Sequence, residues 1–443
     1  MIINPALRAL ISMVIFACSA GAASTYIDTN GVLRWTDSKE KVCVFGTNYT
    51  IPFSYWDWRA PIGADYRKAI DEDVYHMARL GLDGYRVHVW DSYISDEKGN
   101  LVGNEHLELF DYLLFRLKER GIKMFITPMY LGGNGGFASR YGGKAGCLSN
   151  PGAFPVMANY LAQFVSHVNP HTGLAYKDDP DILGFELVNE PHHFKHPELV
   201  TGYINQMVDS IRAAGCDKPL FYNMTTCSEQ IGEVLLSKVD GGTFQWYPTG
   251  LTANHNQRGN MLPNVDRYHI PFADKLSGKR PKFIYEFSPS DVGDAAVMYP
   301  AMARSFREAG FQFAAHFAYD PLHAAYCNLE YRTHYLNLAY TPKKAIGLMI
   351  AAEAFRRIPL GQCYGRFPAN NTFDAFTLDY EKNLAEMVTD TAFLYSNSTR
   401  TEVPEIETLE QVAGVGCSTV VSYEGNGAYF LDRLEDGIWR LEV

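Results

Sequence analysis

Residues 182–191 read Ile182-Leu183-Gly184-Phe185-Glu186-Leu187-Val188-Asn189-Glu190-Pro191. An almost unbroken apolar run that stops abruptly in polar residues is the pattern of a parallel strand covered on both faces. Runs of the same kind recur at 42–48, 84–90, 123–127, 220–223, 243–247, 282–286 and 311–317. Between them, helical periodicity fills 66–80, 106–120, 154–168, 200–214, 301–309 and 343–357. Eight strands, each followed by a helix or long loop over about 315 residues, predict an α/β fold of the (β/α)8 or TIM barrel type. An open doubly wound sheet is the alternative, but no glycine-rich βα turn anchors it. Gly132-Gly133-Asn134-Gly135-Gly136 opens no helix directly and reads as a loop, not a phosphate cradle.

After Gly361 the pattern changes to short strand-like pieces at 373–379, 385–389, 393–396, 419–423, 427–432 and 438–443, separated by Asn, Gly, Ser and Pro. They predict a small C-terminal antiparallel β domain, sandwich-like, over 361–443, with the barrel over 24–360. Residues 1–23 carry Arg8, an apolar run from 9 to 17 and then small residues, the three-part pattern of an export signal. Cys18 in Ile15-Phe16-Ala17-Cys18-Ser19 offers a lipid attachment site, and ordinary cleavage near Ala22 or Ala23 is the alternative. The expected location is therefore periplasmic, on the outer membrane as a lipoprotein, or extracellular, with no transmembrane segment.

The 443 residues carry a net charge of -11, 20% charged residues and 14% aromatic residues. Low charge with many aromatics excludes disorder, and the deficit of Lys and Arg excludes a phosphate-binding nucleic-acid surface. Eight scattered cysteines without CxxC spacing suggest neither a disulfide scaffold nor a structural zinc site. The 28 Tyr, 26 Phe and 6 Trp need another explanation.

Catalytic groups of such a barrel sit at the C-terminal ends of its strands. Strand four ends in Asn189-Glu190-Pro191, and strand seven, Lys282-Phe283-Ile284-Tyr285-Glu286-Phe287, ends at Glu286. Two carboxylates facing one another across a cleft at about 5–5.5 Å are the requirement for retaining glycoside hydrolysis. Strand two reads Tyr85-Arg86-Val87-His88-Val89-Trp90, and period two puts Arg86, His88 and Trp90 on one side. A cation there would lower the pKa of a nearby carboxyl.

With Asn-Glu-Pro ending strand four and a glutamate ending strand seven, the barrel resembles the clan A glycoside hydrolases, and family 5 most. The resemblance implies a retaining β-glycosidase with Glu190 as acid/base, Glu286 as nucleophile and Asn189 on the substrate 2-hydroxyl. It also implies Arg86 beside the nucleophile and Tyr247 hydrogen-bonded to it. Strand six departs from the family's His-x-Tyr, reading Gln245-Trp246-Tyr247. Strand eight lacks the usual tryptophan platform, so Phe317 or Tyr319 would replace it.

The expected substrate is an oligo- or polysaccharide of mannan or glucan type, and the chemistry requires no metal or organic cofactor. The expected substrate-binding residues are Arg86, His88, Trp90, Asn189, His192, Gln245, Trp246, Tyr247 and Tyr319. Trp56 and Trp58 add to an aromatic rim, since sugar C–H faces stack on aromatic planes. Glu186 lies deeper than Glu190 and reads as an interior residue bonded to a neighbour. A non-catalytic carbohydrate-binding barrel is the rival reading. A metal-dependent hydrolase would need His88, His192 or His316 to converge with acids.

Overall fold

A short hairpin precedes the barrel: β1 (Thr25–Ile27) pairs antiparallel with β2 (Leu33–Trp35). In this computed structural model the described residues are 24–53, 65–193, 196–250, 257–270, 272–276, 280–290, 292–323, 325 and 336–443. The expected signal with Cys18, and the rim candidates Trp56 and Trp58, lie outside them.

Eight parallel strands close into a barrel in the order β10-β3-β4-β5-β6-β7-β8-β9. They are β3 (Val44–Asn48), β4 (Gly84–His88), β5 (Lys123–Thr127), β6 (Ile182–Glu186), β7 (Leu220–Asn223), β8 (Gly241–Trp246), β9 (Lys282–Phe287) and β10 (Phe313–His316). The intervening helices are α1 (Tyr66–Arg79), α2 (Asp91–Ile94), α3 (Glu105–Glu119), α4 (Gly136–Arg140), α5 (Gly143–Ser149), α6 (Phe154–Ser166), α7 (Pro197–Ala213), α8 (Ile231–Leu235), α9 (Met298–Glu308) and α10 (Pro342–Arg357). Helix starts follow local chemistry: the Asp65 carboxylate accepts from the Lys68 N–H at the start of α1, and Asn104 accepts from Leu107 before α3. The glycine-rich segment differs from expectation, because α4 begins at Gly136 itself.

Phenylalanine fills the lower barrel. Phe125, Phe221, Phe283 and Phe313 meet inside it, with ring centroids 4.4 Å apart for Phe221 and Phe283 and 5.0 Å for Phe125 and Phe283. Leu33 of the hairpin joins this cluster from below, and the Gln312 side chain both accepts from the Leu33 N–H and donates to its carbonyl at 2.8 Å. Gly46 lies against Gly84 on the neighbouring strand so closely that a Cβ would sit 1.7 Å from the Gly84 carbonyl oxygen. The apolar plug at the base leaves the polar groups only the upper half of the barrel.

The C-terminal segment forms one seven-stranded sheet, β11 (Thr372–Phe373), β12 (Phe376–Asp379), β13 (Leu384–Val388), β14 (Ala392–Tyr395), β15 (Gln411–Val415), β16 (Ala428–Glu435) and β17 (Ile438–Glu442), in sequence order. It is antiparallel except for β14 and β15, which run parallel. The two facing sheets of a sandwich are not formed: α10 packs across β13 to β16 and supplies the second layer. The strand expected at 419–423 is replaced by β15, whose glycine and alanine weaken its apolar signal. Arg79 of α1 joins the sheet to the barrel, pairing with Asp432 at 2.5 Å and lying 4.3 Å over the Phe430 ring. Among the described residues no helix is long and apolar enough to cross a membrane. The described cysteines Cys43, Cys147, Cys216, Cys227, Cys363 and Cys417 are free thiols.

Candidate active site

Above the phenylalanine plug, strand parity turns Arg86 into the barrel, where it is fully buried. An unpaired guanidinium there would be very costly. Arg86 Nη2 donates to Glu186 Oε2 and Asn189 Oδ1, both at 2.7 Å, and Nη1 donates to Glu286 Oε1 at 2.8 Å. Glu186 also accepts from the Thr127 hydroxyl at 2.5 Å and from the Thr243 hydroxyl. It is thus the interior counter-ion of Arg86, below the cleft.

Glu286 reaches the same space through an irregularity in β9. Ile284 faces Phe244 on β8 and Ala314 on β10, whereas Glu286 faces Gln245 and Phe287 faces His316. One residue more on β9 than on either neighbour is a β-bulge, and it lets Tyr285 and Glu286 both point inward. The Tyr247 hydroxyl donates to Glu286 Oε2 at 2.9 Å, opposite the Arg86 contact. Burial and the charge of Glu190 push the Glu286 carboxyl up to about 7, while Arg86 and Tyr247 pull it down.

Glu190 follows β6 with a left-handed backbone, φ +46°. A non-glycine residue there stores about 1–3 kcal/mol of strain, which its surroundings must hold. Lys144 of α5 does so, its Nζ donating to the Asn189 carbonyl at 2.6 Å and the Glu190 carbonyl at 3.3 Å. The Asn189 N–H donates to the Met129 carbonyl at 2.8 Å. Tyr285 completes the ring, with its hydroxyl 3.2 Å from Glu190 Oε1 and 2.5 Å from Gln245 Oε1.

Around the acids stands an aromatic stack. The Tyr130 ring stacks on His88 at 5.0 Å and on Trp90 at 5.3 Å, and Phe317 stacks on His88 at 6.1 Å. Burial and the charges of Arg86 and Lys144 hold His88 well below its usual pKa, so it is neutral. His192 is exposed at the rim and senses the charges of Lys144 and Glu190. Arg86, His88, Trp90, Asn189, Glu190, His192, Gln245, Tyr247 and Glu286 are thus brought to one end of the barrel.

Two expected binding residues are not. Trp246 alternates away from Gln245 and Tyr247 and packs edge-on against Tyr268 and Phe306, between the sheet and α9. Tyr319 is fully buried under α1, its hydroxyl 3.0 Å from His76 Nδ1. Phe317 takes the strand-eight place. Of the three histidines that the rival metal-dependent reading would need, His316 lies apart from His88 and His192, packed between Phe287 and Tyr299. Sequence reading missed Lys144, Tyr130 and the inward turn of Tyr285.

Fold and site together define a (β/α)8 barrel with two glutamates, Glu190 and Glu286, at the C-terminal ends of its strands. No protein-family model matches the chain. Mannan endo-1,4-beta-mannosidase 1 of Arabidopsis thaliana is 25% identical over 192 residues, covering 38% of this chain and 45% of that protein. Mannan endo-1,4-beta-mannosidase 3 of the same plant is 30% identical over 110 residues, covering 22% and 27%. The chain thus matches less than half the length of these curated relatives. Among solved structures, the endo-beta-1,4-mannanase of Thermotoga petrophila superposes with TM-score 0.56 at 14% identity, covering 84% of this chain and 83% of that one. A glycoside hydrolase family 5 mannosidase from Rhizomucor miehei gives TM-score 0.55 at 14% identity, covering 76% and 99%. At such identities the likeness is one of fold.

Proposed function

We propose that this protein is a retaining β-glycoside hydrolase acting on a mannan-type β-linked polysaccharide. The observation that carries the reading is Glu286, gripped by Arg86 and Tyr247 at the end of one strand, with Glu190 close by at the end of another. The pair divides its roles: Arg86 and Tyr247 both donate to Glu286, which suits a nucleophile, and Glu190, outside that grip, gives and takes the proton.

Glu286 attacks the anomeric carbon while Glu190 protonates the departing glycosidic oxygen, giving a covalent glycosyl-enzyme. Glu190 then takes a proton from water, the water oxygen attacks the same carbon, and Glu286 leaves. Asn189, with its oxygen held by Arg86, directs its NH2 to the sugar 2-hydroxyl. The Trp90, Tyr130, His88 and Phe317 stack gives the cleft an aromatic wall against which sugar rings can pack. The mannan preference is supported by the names of the local sequence relatives.

The test is a side-by-side screen of aryl β-mannosides, β-glucosides and β-galactosides and of soluble mannan, with the first-formed anomer read by NMR. Turnover with a β-anomer product is expected, and Glu286→Ala and Glu190→Ala each remove most of it. Near wild-type turnover by Glu286→Ala, or saccharide binding without turnover by the wild type, overturns the reading. Export is part of the same proposal, supported by the pattern of residues 1–23. Retention of the full chain in the cytoplasm counts against it, and lipid labelling tests Cys18.

A further inference from the structure

Glu190 has to be satisfied twice in one catalytic cycle, once protonated and once ionised. This inference rests on the proposed acid/base role of Glu190. Tyr285 Oη stands between it and Gln245, 3.2 Å from Glu190 Oε1 and 2.5 Å from Gln245 Oε1. A phenol has a single hydrogen to donate and lone pairs to accept with. When the amide oxygen of Gln245 faces it at 2.5 Å, that hydrogen goes to Gln245. Tyr285 then meets Glu190 only as an acceptor, which matches a Glu190 that carries a proton. Turning the amide of Gln245 by half a turn presents its NH2 instead. The amide now donates to Tyr285, whose hydrogen is released to an ionised Glu190.

We propose that Gln245 and Tyr285 form a two-state relay of positioning residues, in which an amide flip lets one buried phenol serve Glu190 as acceptor before bond cleavage and as donor after it. No proton leaves the relay. The proton on Glu190 goes to the leaving oxygen, and its replacement comes from the attacking water, while Tyr285 keeps its own. The phenol is suited to this because it cannot swing aside: its ring is fully buried and the Arg86 guanidinium lies 4.7 Å over it. Burial and the charges of both glutamates hold Tyr285 well above its usual pKa, so it stays protonated throughout. The other charged or titratable groups facing Glu190 are Glu286, Lys144, His192 and Tyr247, and none is altered by changing Gln245.

The test uses the full chain and two opposite substitutions. Gln245→Met removes the amide, freeing the Tyr285 hydrogen for Glu190 and favouring the ionised form. Its alkaline limb of kcat/KM should move down by about one pH unit, with about tenfold slower cleavage of phenyl glycosides. Dinitrophenyl glycosides, which need no acid, should lose much less than phenyl glycosides do. Once ionised, the Gln245→Glu side chain can accept and cannot donate, so it favours protonated Glu190. Its alkaline limb should move up, and slow hydrolysis of the glycosyl-enzyme should appear as a burst.

Limbs that superimpose on the wild type in both variants, or equal losses for both leaving groups, overturn the relay. If one variant fails to fold, the limb shift of the other decides. Glu190→Ala separates this from the function itself. Activity lost in that variant and restored by azide, together with unmoved limbs in the Gln245 variants, removes the relay and keeps the hydrolase. Wild-type turnover by Glu190→Ala removes both.

Discussion

Tyr247→Phe removes one oxygen from the nucleophile's surroundings and leaves Arg86 in place 2.8 Å from Glu286. The lost contact is a phenol donating to a carboxylate at 2.9 Å. A hydrogen bond to a charged group is worth about 1.5–3 kcal/mol, which at 1.36 kcal/mol per pH unit is about 1–2 units. The sign follows from the balance at Glu286: burial and Glu190 raise its carboxyl to about 7, and Tyr247 is one of the two groups that oppose them. Removing Tyr247 therefore raises it further, and the ionised nucleophile is lost at higher pH. The acidic limb of kcat/KM on an aryl β-glycoside should move up by about 1–2 units. At pH 6 the rate should fall about 10- to 100-fold, with much of the loss recovered on the plateau. A profile of unchanged shape, scaled down by one factor at every pH, would refute the assignment, because it would mean that Tyr247 shapes the cleft without tuning Glu286.

Lys144→Ala should release the backbone of Asn189 and Glu190, lowering kcat about tenfold or more with KM little changed, because a small misplacement of the acid is enough to cost rate. Steady-state kinetics check this, and a pure KM effect would count against the clamp. Asp73 is buried beneath the Tyr49 hydroxyl and the Leu322 N–H, and burial raises its carboxyl to about 8 from 3.8. A folded pKa above the unfolded one means the native state holds the extra proton, so this contribution to stability is present at low pH and is lost as pH rises from about 4 to 8. The melting temperature of Asp73→Asn relative to wild type should therefore climb between pH 5 and 8 and level off above. Phe283→Ala should open a hole among the rings at the barrel base and cost about 3–5 kcal/mol in denaturant melts.

The strand pattern made the barrel and both glutamates legible, because buried parallel strands are apolar throughout and their polar ends stand out. Period two also placed Arg86 and His88 correctly, and the same rule excludes Trp246 once Gln245 and Tyr247 are taken as inward. Its large apolar surface drew it toward the sugar, when its neighbours were Tyr268 and Phe306 of the outer layer. Tyr319 failed differently. It stands two positions after Phe317, but the chain has left the strand by then, and its hydroxyl turns to His76 and the Leu338 N–H. Lys144 carries no local signal at all. It lies in the segment after β5 and acts on a peptide 45 residues further on, a pairing that only the folded chain creates.

Tyr285 is the most instructive miss, because strict alternation forbids it and Glu286 from facing the same way. The bulge that brings both inward inserts one residue into β9 against both neighbours, and nothing in Lys282-Phe283-Ile284-Tyr285-Glu286-Phe287 marks the place. Bulges gather beside active sites because they re-aim a side chain without adding a loop. Here the gain is specific. One irregularity puts Glu286 against Arg86 and Tyr247 and, one residue earlier, a phenol against Glu190. Tyr285 thereby links Glu190 to Gln245, and the departure at Gln245 acquires a physical reason: an amide facing a phenol presents either a donor or an acceptor by turning over, without a change of charge.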